Sequence, residues 1–200
     1  QASPERLQQL AHEWQAKSGT PYIRFSRPGI YGSSGDHRQR RRPREVALID
    51  AALDALKRRY GIAAFALSGQ SGGGHVVGAL LPRRVDIACA VITSGVVSVR
   101  QRSLLRGWAG RDITGYDDFF DPIDHVSEVP RHAGRRIFVV GDPRDSNVPF
   151  VTQKDYFEAL HAAGHAAWLI RAKGSGRSHH TLSRVGFQVL ADCIRKVPAE

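Results

Sequence analysis

What the 200-residue sequence lacks narrows the field first. It has no run of about 18 apolar residues, the length a membrane-crossing helix needs. It shows no signal-peptide pattern. Its two cysteines, Cys89 and Cys193, are too few for a disulfide framework. Cys89 lies in an apolar strand-like run and Cys193 in an apparent helix, so two buried free thiols are expected; a single bridge would point to an oxidising compartment. No zinc-finger or P-loop pattern occurs. Asp117, Asp118, Asp121 and Asp124 lack the central glycine and terminal glutamate of a calcium loop, and read as a solvated face with a helix cap. His161 and His165 are four apart, but Gly164 interrupts the helix between them and no third ligand is near. No metal and no cofactor is called for. There is no internal repeat.

What is present suits one globular domain over residues 1–200, with 42% hydrophobic content. The net charge is +10, much of it from Arg38, Arg40, Arg41, Arg42 and Arg44. A basic run of this kind can meet nucleic acid, an anionic membrane or an acidic partner. It has no interleaved aromatics on which bases would stack, so a solvated loop running into a helix is the expectation, with neither nucleic acid nor membrane as partner.

Apolar periodicity predicts helices over 4–17, 43–60, 71–81, 149–163 and 180–197. Short apolar runs predict strands over 21–26, 62–67, 85–93, 136–141 and 166–171. Residues 94–121 read as a small helical excursion, a possible cap. Strands alternating with helices of this length imply an α/β fold, a mostly parallel sheet with helices on both faces.

The strand–turn–helix at 65–77 contains Gly69-Gln70-Ser71-Gly72-Gly73, a G-x-S-x-G elbow. A serine on so sharp a turn is held in a strained backbone with its hydroxyl above the sheet. Strand and helix cross tightly there, which predicts glycine at Gly69 and Gly73. Ser71 is the candidate nucleophile, and Gly72 can offer its N–H to a developing oxyanion.

Loops at the carboxyl ends of parallel strands share one edge. The loop after the strand at 136–141 carries Asp142 and Asp145; Asp142 can shape the turn, and Asp145, further out, is preferred as the carboxylate that orients a histidine. The loop after the last strand carries His179 and His180. His180 is preferred as the base and His179 is its alternative. His75, one turn beyond Ser71, reads as a polar position on the helix. His12, His37, His125 and His132 are isolated, with surface or loop positions expected.

From Tyr22 onward the chain resembles the α/β-hydrolase superfamily, in its peptidase-like or dienelactone-hydrolase-like branches. Gly69 to Gly73 matches the nucleophile elbow. Gly141 to Pro149 is similar to the acid loop G-x-x-D-x-x-V-P, which assigns the acid to Asp145. Arg27-Pro28-Gly29-Ile30-Tyr31-Gly32-Ser33-Ser34 is similar to the loop that follows an early strand, and Asp121-Pro122-Ile123 to the segment before the acid strand. The order serine, acid, histidine is the family's. One departure stands out: no apolar strand ending in His-Gly precedes Pro4, and that loop normally gives the second oxyanion donor. The expectation is a hydrolase domain lacking its N-terminal strands.

The resemblance implies a serine hydrolase of the esterase or peptidase type. It would cleave an ester, thioester or peptide-like bond of a small-molecule or peptide substrate, with Ser71, Asp145 and His180 as triad. The alternative is a non-catalytic hydrolase-fold module that binds through its basic surface. A nucleotide-binding reading fails on Ser71, which replaces the middle glycine of G-x-G-x-x-G, and on the absence of a ribose-binding acid after Thr93.

Overall fold

The computed structural model describes residues 3–195. Its centre is a four-stranded sheet formed by β1 (Phe65–Gln70), β2 (Ile87–Thr93), β3 (Arg136–Gly141) and β4 (Ala167–Arg171). The strands lie in sequence order and every pair is parallel. Parallel neighbours need crossovers, and helices α2 (Pro43–Tyr60), α3 (Gly72–Leu80), α5 (Phe150–Ala162) and α6 (Ser183–Arg195) cover the two faces.

Alternation along each strand divides the core. Ala90 and Ile92 of β2 join Ile137 and Val139 of β3 against Val46, Ile49 and Leu53 of α2, Val77 and Leu80 of α3, and Tyr156 and Leu160 of α5. Cys89 and Val91 face the other way, with Val140, Leu182, Leu190 and Cys193. Helix α6 thus holds one face while α2, α3 and α5 share the other. Helix α1 (Pro4–Ser18) is capped by Ser3 Oγ, which accepts from Arg6 N, and packs outside α6 through Trp14 on Phe187, ring centroids 4.1 Å apart.

Three expectations about the elements need correction. The strand predicted over 21–26 does not form: residues 21–27 belong to no ladder, and Ile23 and Phe25 are 47% and 43% exposed. No strand lies between this segment and β1 among the described residues, so its backbone has no ladder to join. β1 begins at Phe65 and runs on through Ser68, Gly69 and Gln70, because those residues pair with Val91, Ile92 and Thr93. The cysteines are not free. Cys89 of β2 and Cys193 of α6, both buried, form a disulfide with Cα atoms 6.2 Å apart. The fold stacks α6 on the Cys89 face of β2, which brings together residues 104 apart in sequence.

The excursion after β2 contains one short helix, α4 (Val99–Leu105), followed by turns up to a 3-10 helix at Pro122–Glu128. Asp121 closes it. Its two carboxylate oxygens accept the N–H groups of Val99 and Arg100 at 2.8 and 2.9 Å. It is a cap, as expected, but a buried one rather than part of a solvated face. Burial pushes its carboxyl up to about 6.

Candidate active site

All four strands end at the same edge, and the candidate residues follow those ends. Ser71 comes directly after β1. Its backbone has φ 55° and ψ −115°, outside the regions an L-residue ordinarily adopts. Three hydrogen bonds hold it there: Ser71 N–H donates to Thr93 O at 2.9 Å, and Ser71 O accepts from His75 N at 3.0 Å and Val96 N at 3.3 Å.

The glycines around it differ in what they allow. A β-carbon on Gly69 would lie 2.2 Å from Gly73 O, and one on Gly74 would lie 2.8 Å from Gly95 Cα. Gly73 itself has open space where a β-carbon would go. The crowding expected at Gly69 and Gly73 is therefore borne by Gly69 and Gly74. At Gly72 a β-carbon would sit 2.0 Å from Arg27 Nη1, so glycine there makes room for a guanidinium.

After β3 the acid loop turns on Asp142, which accepts from Arg144 and, through Oδ2, from Gly174 N at 2.7 Å. The Arg144 side chain holds its carboxyl far below the ordinary carboxylate range. Asp142 thereby ties the acid loop to the loop after β4, and Ser146 N donating to Ser178 O at 2.9 Å is a second tie. The third joins the two candidate residues: His180 Nδ1–H donates to Asp145 Oδ2 at 2.8 Å. Asp145 also accepts from Asn147 N and Val148 N at 2.8 and 2.9 Å. Burial pushes the Asp145 carboxyl up, but these three hydrogen bonds outweigh it and hold it below its ordinary value. A carboxylate as acceptor fixes the proton on Nδ1 and leaves Nε2 as the basic nitrogen. His179, at φ 52°, makes no side-chain hydrogen bond among the described residues.

Gln70, which nothing in the sequence marks out, locks the elbow to the histidine loop. Its Nε2 donates to His180 O at 3.3 Å, and its Oε1 accepts from Leu182 N at 3.0 Å and from Ser183 Oγ. Ser71 Oγ forms no hydrogen bond to His180 among the described residues. His75, expected as a polar helix position, is fully buried; its Nε2–H donates to Phe120 O at 2.8 Å, and burial drives its pKa down to about 3. It is a neutral tether between the elbow helix and the end of the excursion.

The cleft beside Ser71 and Gly72 has a volume of about 280 Å³, and Arg27, Arg40, Arg41 and Arg102 all line it. The arginine run is therefore only partly solvated: Arg38 and Arg44 are exposed as expected, whereas Arg40 and Arg41 face the cleft. Arg41, left-handed at φ 66°, is buried in a bidentate pair with Asp112 at 2.9 and 2.6 Å. Arg42 pairs with Asp118 and stacks 4.4 Å from the Tyr116 ring centroid. Glu45, at the start of α2, grips both walls: it takes Arg27 Nε and Nη2 at 2.8 and 2.7 Å and Arg41 N at 2.6 Å.

No family model matches the sequence, and no curated protein matches it. Solved structures do match in shape. The Pyrococcus furiosus esterase Pf2001 is 15% identical with a TM-score of 0.69, covering 96% of this chain and 76% of that one. The Pyrococcus horikoshii acylaminoacyl peptidase is 14% identical with a TM-score of 0.63, covering 84% of this chain and 32% of the peptidase. A Klebsiella pneumoniae protein assigned as a dienelactone hydrolase is 16% identical with a TM-score of 0.56, covering 76% of this chain and 61% of that one. This chain spans about a third of the peptidase's length. The fold is the α/β-hydrolase fold. The proteins it resembles in shape are hydrolases: an esterase, a peptidase and a dienelactone hydrolase.

Proposed function

We propose that the protein is a serine hydrolase that cleaves an ester, thioester or peptide-like bond through an acyl-enzyme. The observation that carries this reading is the buried Asp145–His180 hydrogen bond of 2.8 Å, at the same sheet edge as a left-handed Ser71. Ser71 Oγ attacks the substrate carbonyl carbon and His180 Nε2 takes its proton. Asp145 keeps the other ring proton in place and stabilises the imidazolium. The carbonyl oxygen becomes an oxyanion that accepts from Gly72 N–H. As the tetrahedral species collapses, the leaving group departs with the proton from His180. Water then attacks the acyl-Ser71 ester, with His180 again as base, and the acid product leaves. Catalytic hydrogen bonds are often open without substrate and tighten in the Michaelis complex, and this mechanism requires the same of Ser71 Oγ and His180 Nε2.

Fluorophosphonate labelling tests the assignment. The wild-type chain should label and cleave p-nitrophenyl esters, and Ser71→Ala should lose the label and at least ~10³-fold in kcat. Labelling that survives in Ser71→Ala refutes the nucleophile. A wild-type chain that neither labels nor cleaves favours the non-catalytic binding module.

A further inference from the structure

The cleft carries more positive charge than its own carboxylates neutralise. Of its four guanidiniums, Arg27 is paired with Glu45 and Arg41 with Asp112, while Arg40 and Arg102 have no carboxylate within ion-pair distance among the described residues. The cleft thus keeps a surplus of two positive charges.

A buried guanidinium needs no carboxylate when carbonyl oxygens satisfy it. Arg135 shows this, giving Nε to Ile87 O, Nη1 to Pro130 O and Nη2 to Arg84 O. Arg102 is equally buried, at 5% exposure, but differently served. Its Nε and Nη2 both go to Asn147, at 3.1 and 2.8 Å, and Nη1 has no acceptor among the described residues. Burial first, then the charge of Arg41, brings its pKa down to about 10, with Asp112 and Asp145 offsetting part of this. It stays protonated at neutral pH. Arg40 gives Nη1 to His37 O at 3.1 Å, the one hydrogen bond of its side chain among the described residues. Arg102 is buried with only neutral partners, Asn147 and the Trp108 ring 4.9 Å from its guanidinium, and Arg40 is half-buried on the same cleft. A buried cation with no anion beside it is costly, and an incoming carboxylate lowers that cost.

We propose that the cleft beside Ser71 binds a carboxylate on the substrate through Arg40 and Arg102, so that the preferred substrates are esters or amides carrying an acidic group near the scissile bond. The proposal rests on the serine-hydrolase reading and names the substrate class for that site. A single carboxylate takes up one of the two surplus charges. The other is left for the oxyanion that develops at Gly72, which lines the same cleft. Guanidinium forks suit this role because they bind a carboxylate by two hydrogen bonds at once.

Two matched substrate pairs read the preference. On the acyl side these are mono-4-nitrophenyl succinate and 4-nitrophenyl butyrate; on the leaving-group side, 3-acetoxybenzoate and its methyl ester. At least one pair should show kcat/KM about tenfold or more in favour of the anion, since tenfold needs only ~1.4 kcal/mol. Arg40→Gln should cut that ratio about tenfold, and Arg102→Lys, which keeps a charge but not the fork, should lower it less. A ratio near one in both pairs, or a preference that survives Arg40→Gln undiminished, overturns the proposal. Calorimetry with monomethyl succinate separates this failure from failure of the enzyme reading. If the chain cleaves nothing, binding of monomethyl succinate that weakens in Arg40→Gln still supports the anion site, and no binding at millimolar concentration overturns it.

Discussion

Ser71 is held in an unusual backbone by glycines that do different jobs, and a pair of substitutions exposes the difference. An alanine at Gly69 meets backbone at 2.2 Å, which no side-chain rotation relieves. Gly69→Ala should cost about 1–3 kcal/mol, the usual range for overpacking, and should move Ser71 with it. Gly73 lies in the first turn of α3, with negative φ and open space beyond its Cα. Gly73→Ala should therefore be neutral or stabilise by about 0.4–1 kcal/mol. Urea unfolding of the two variants checks this; equal effects would remove the crowding argument. The elbow could be read from the sequence because all its parts lie within five residues. Which of its glycines is crowded could not, since Gly74 meets Gly95 only after β2 has returned alongside β1.

Among the elements, the turn at 37–42 and the excursion after β2 form one wall because Arg41 reaches Asp112. Its guanidinium pulls the Asp112 carboxyl down to about 2, against a burial effect that alone would raise it. A carboxyl held below its ordinary value near 3.8 binds fewer protons folded than unfolded. The stability it supplies is complete above that ordinary value and is lost as pH falls towards about 2. Asp112→Asn should lower stability at neutral pH by ~3–5 kcal/mol, because Arg41 is left buried and unpaired. It should also flatten the fall in stability between pH 4 and pH 2. Urea midpoints across that range read both effects, and a variant as acid-sensitive as the wild type would contradict them. Arg41 and Asp112 are 71 residues apart, and no local pattern links them. For that reason the arginine run reads as a solvated loop in sequence, while Arg40 and Arg41 within it prove to line the cleft.

For the whole molecule the Cys89–Cys193 bond ties the middle of the sheet to the closing helix. It links residues 104 apart in sequence, and the loop it closes includes the acid and histidine loops. Loop-closure entropy assigns a loop of that size roughly 4.7 kcal/mol, although measured losses on removal are nearer 2–5 kcal/mol. Replacing both cysteines by alanine should lower unfolding free energy within that range. Intact mass with and without reductant should show the two-hydrogen difference of one bridge; two freely titrating thiols in the native oxidised protein would exclude it. Cys89 and Cys193 sit in apolar patterns that fit buried thiols and a buried bridge equally well. Only the stacking of α6 on the Cys89 face of β2 distinguishes them.

The alternation of helices and parallel strands, the elbow, and the order of Ser71, Asp145 and His180 were all legible without the fold. These depend on residues within a few positions of one another, or on the rule that parallel strands end at one edge. Tertiary structure decided what depends on distant residues meeting. It left the segment at 21–26 without a ladder, made Gln70 the lock between two loops, and closed the disulfide. It also set Arg40 and Arg102 in one cleft with Ser71 while giving the available carboxylates to Arg27 and Arg41. The charge was visible from composition. Its partners, and so the surplus beside the serine, existed only once the chain had folded.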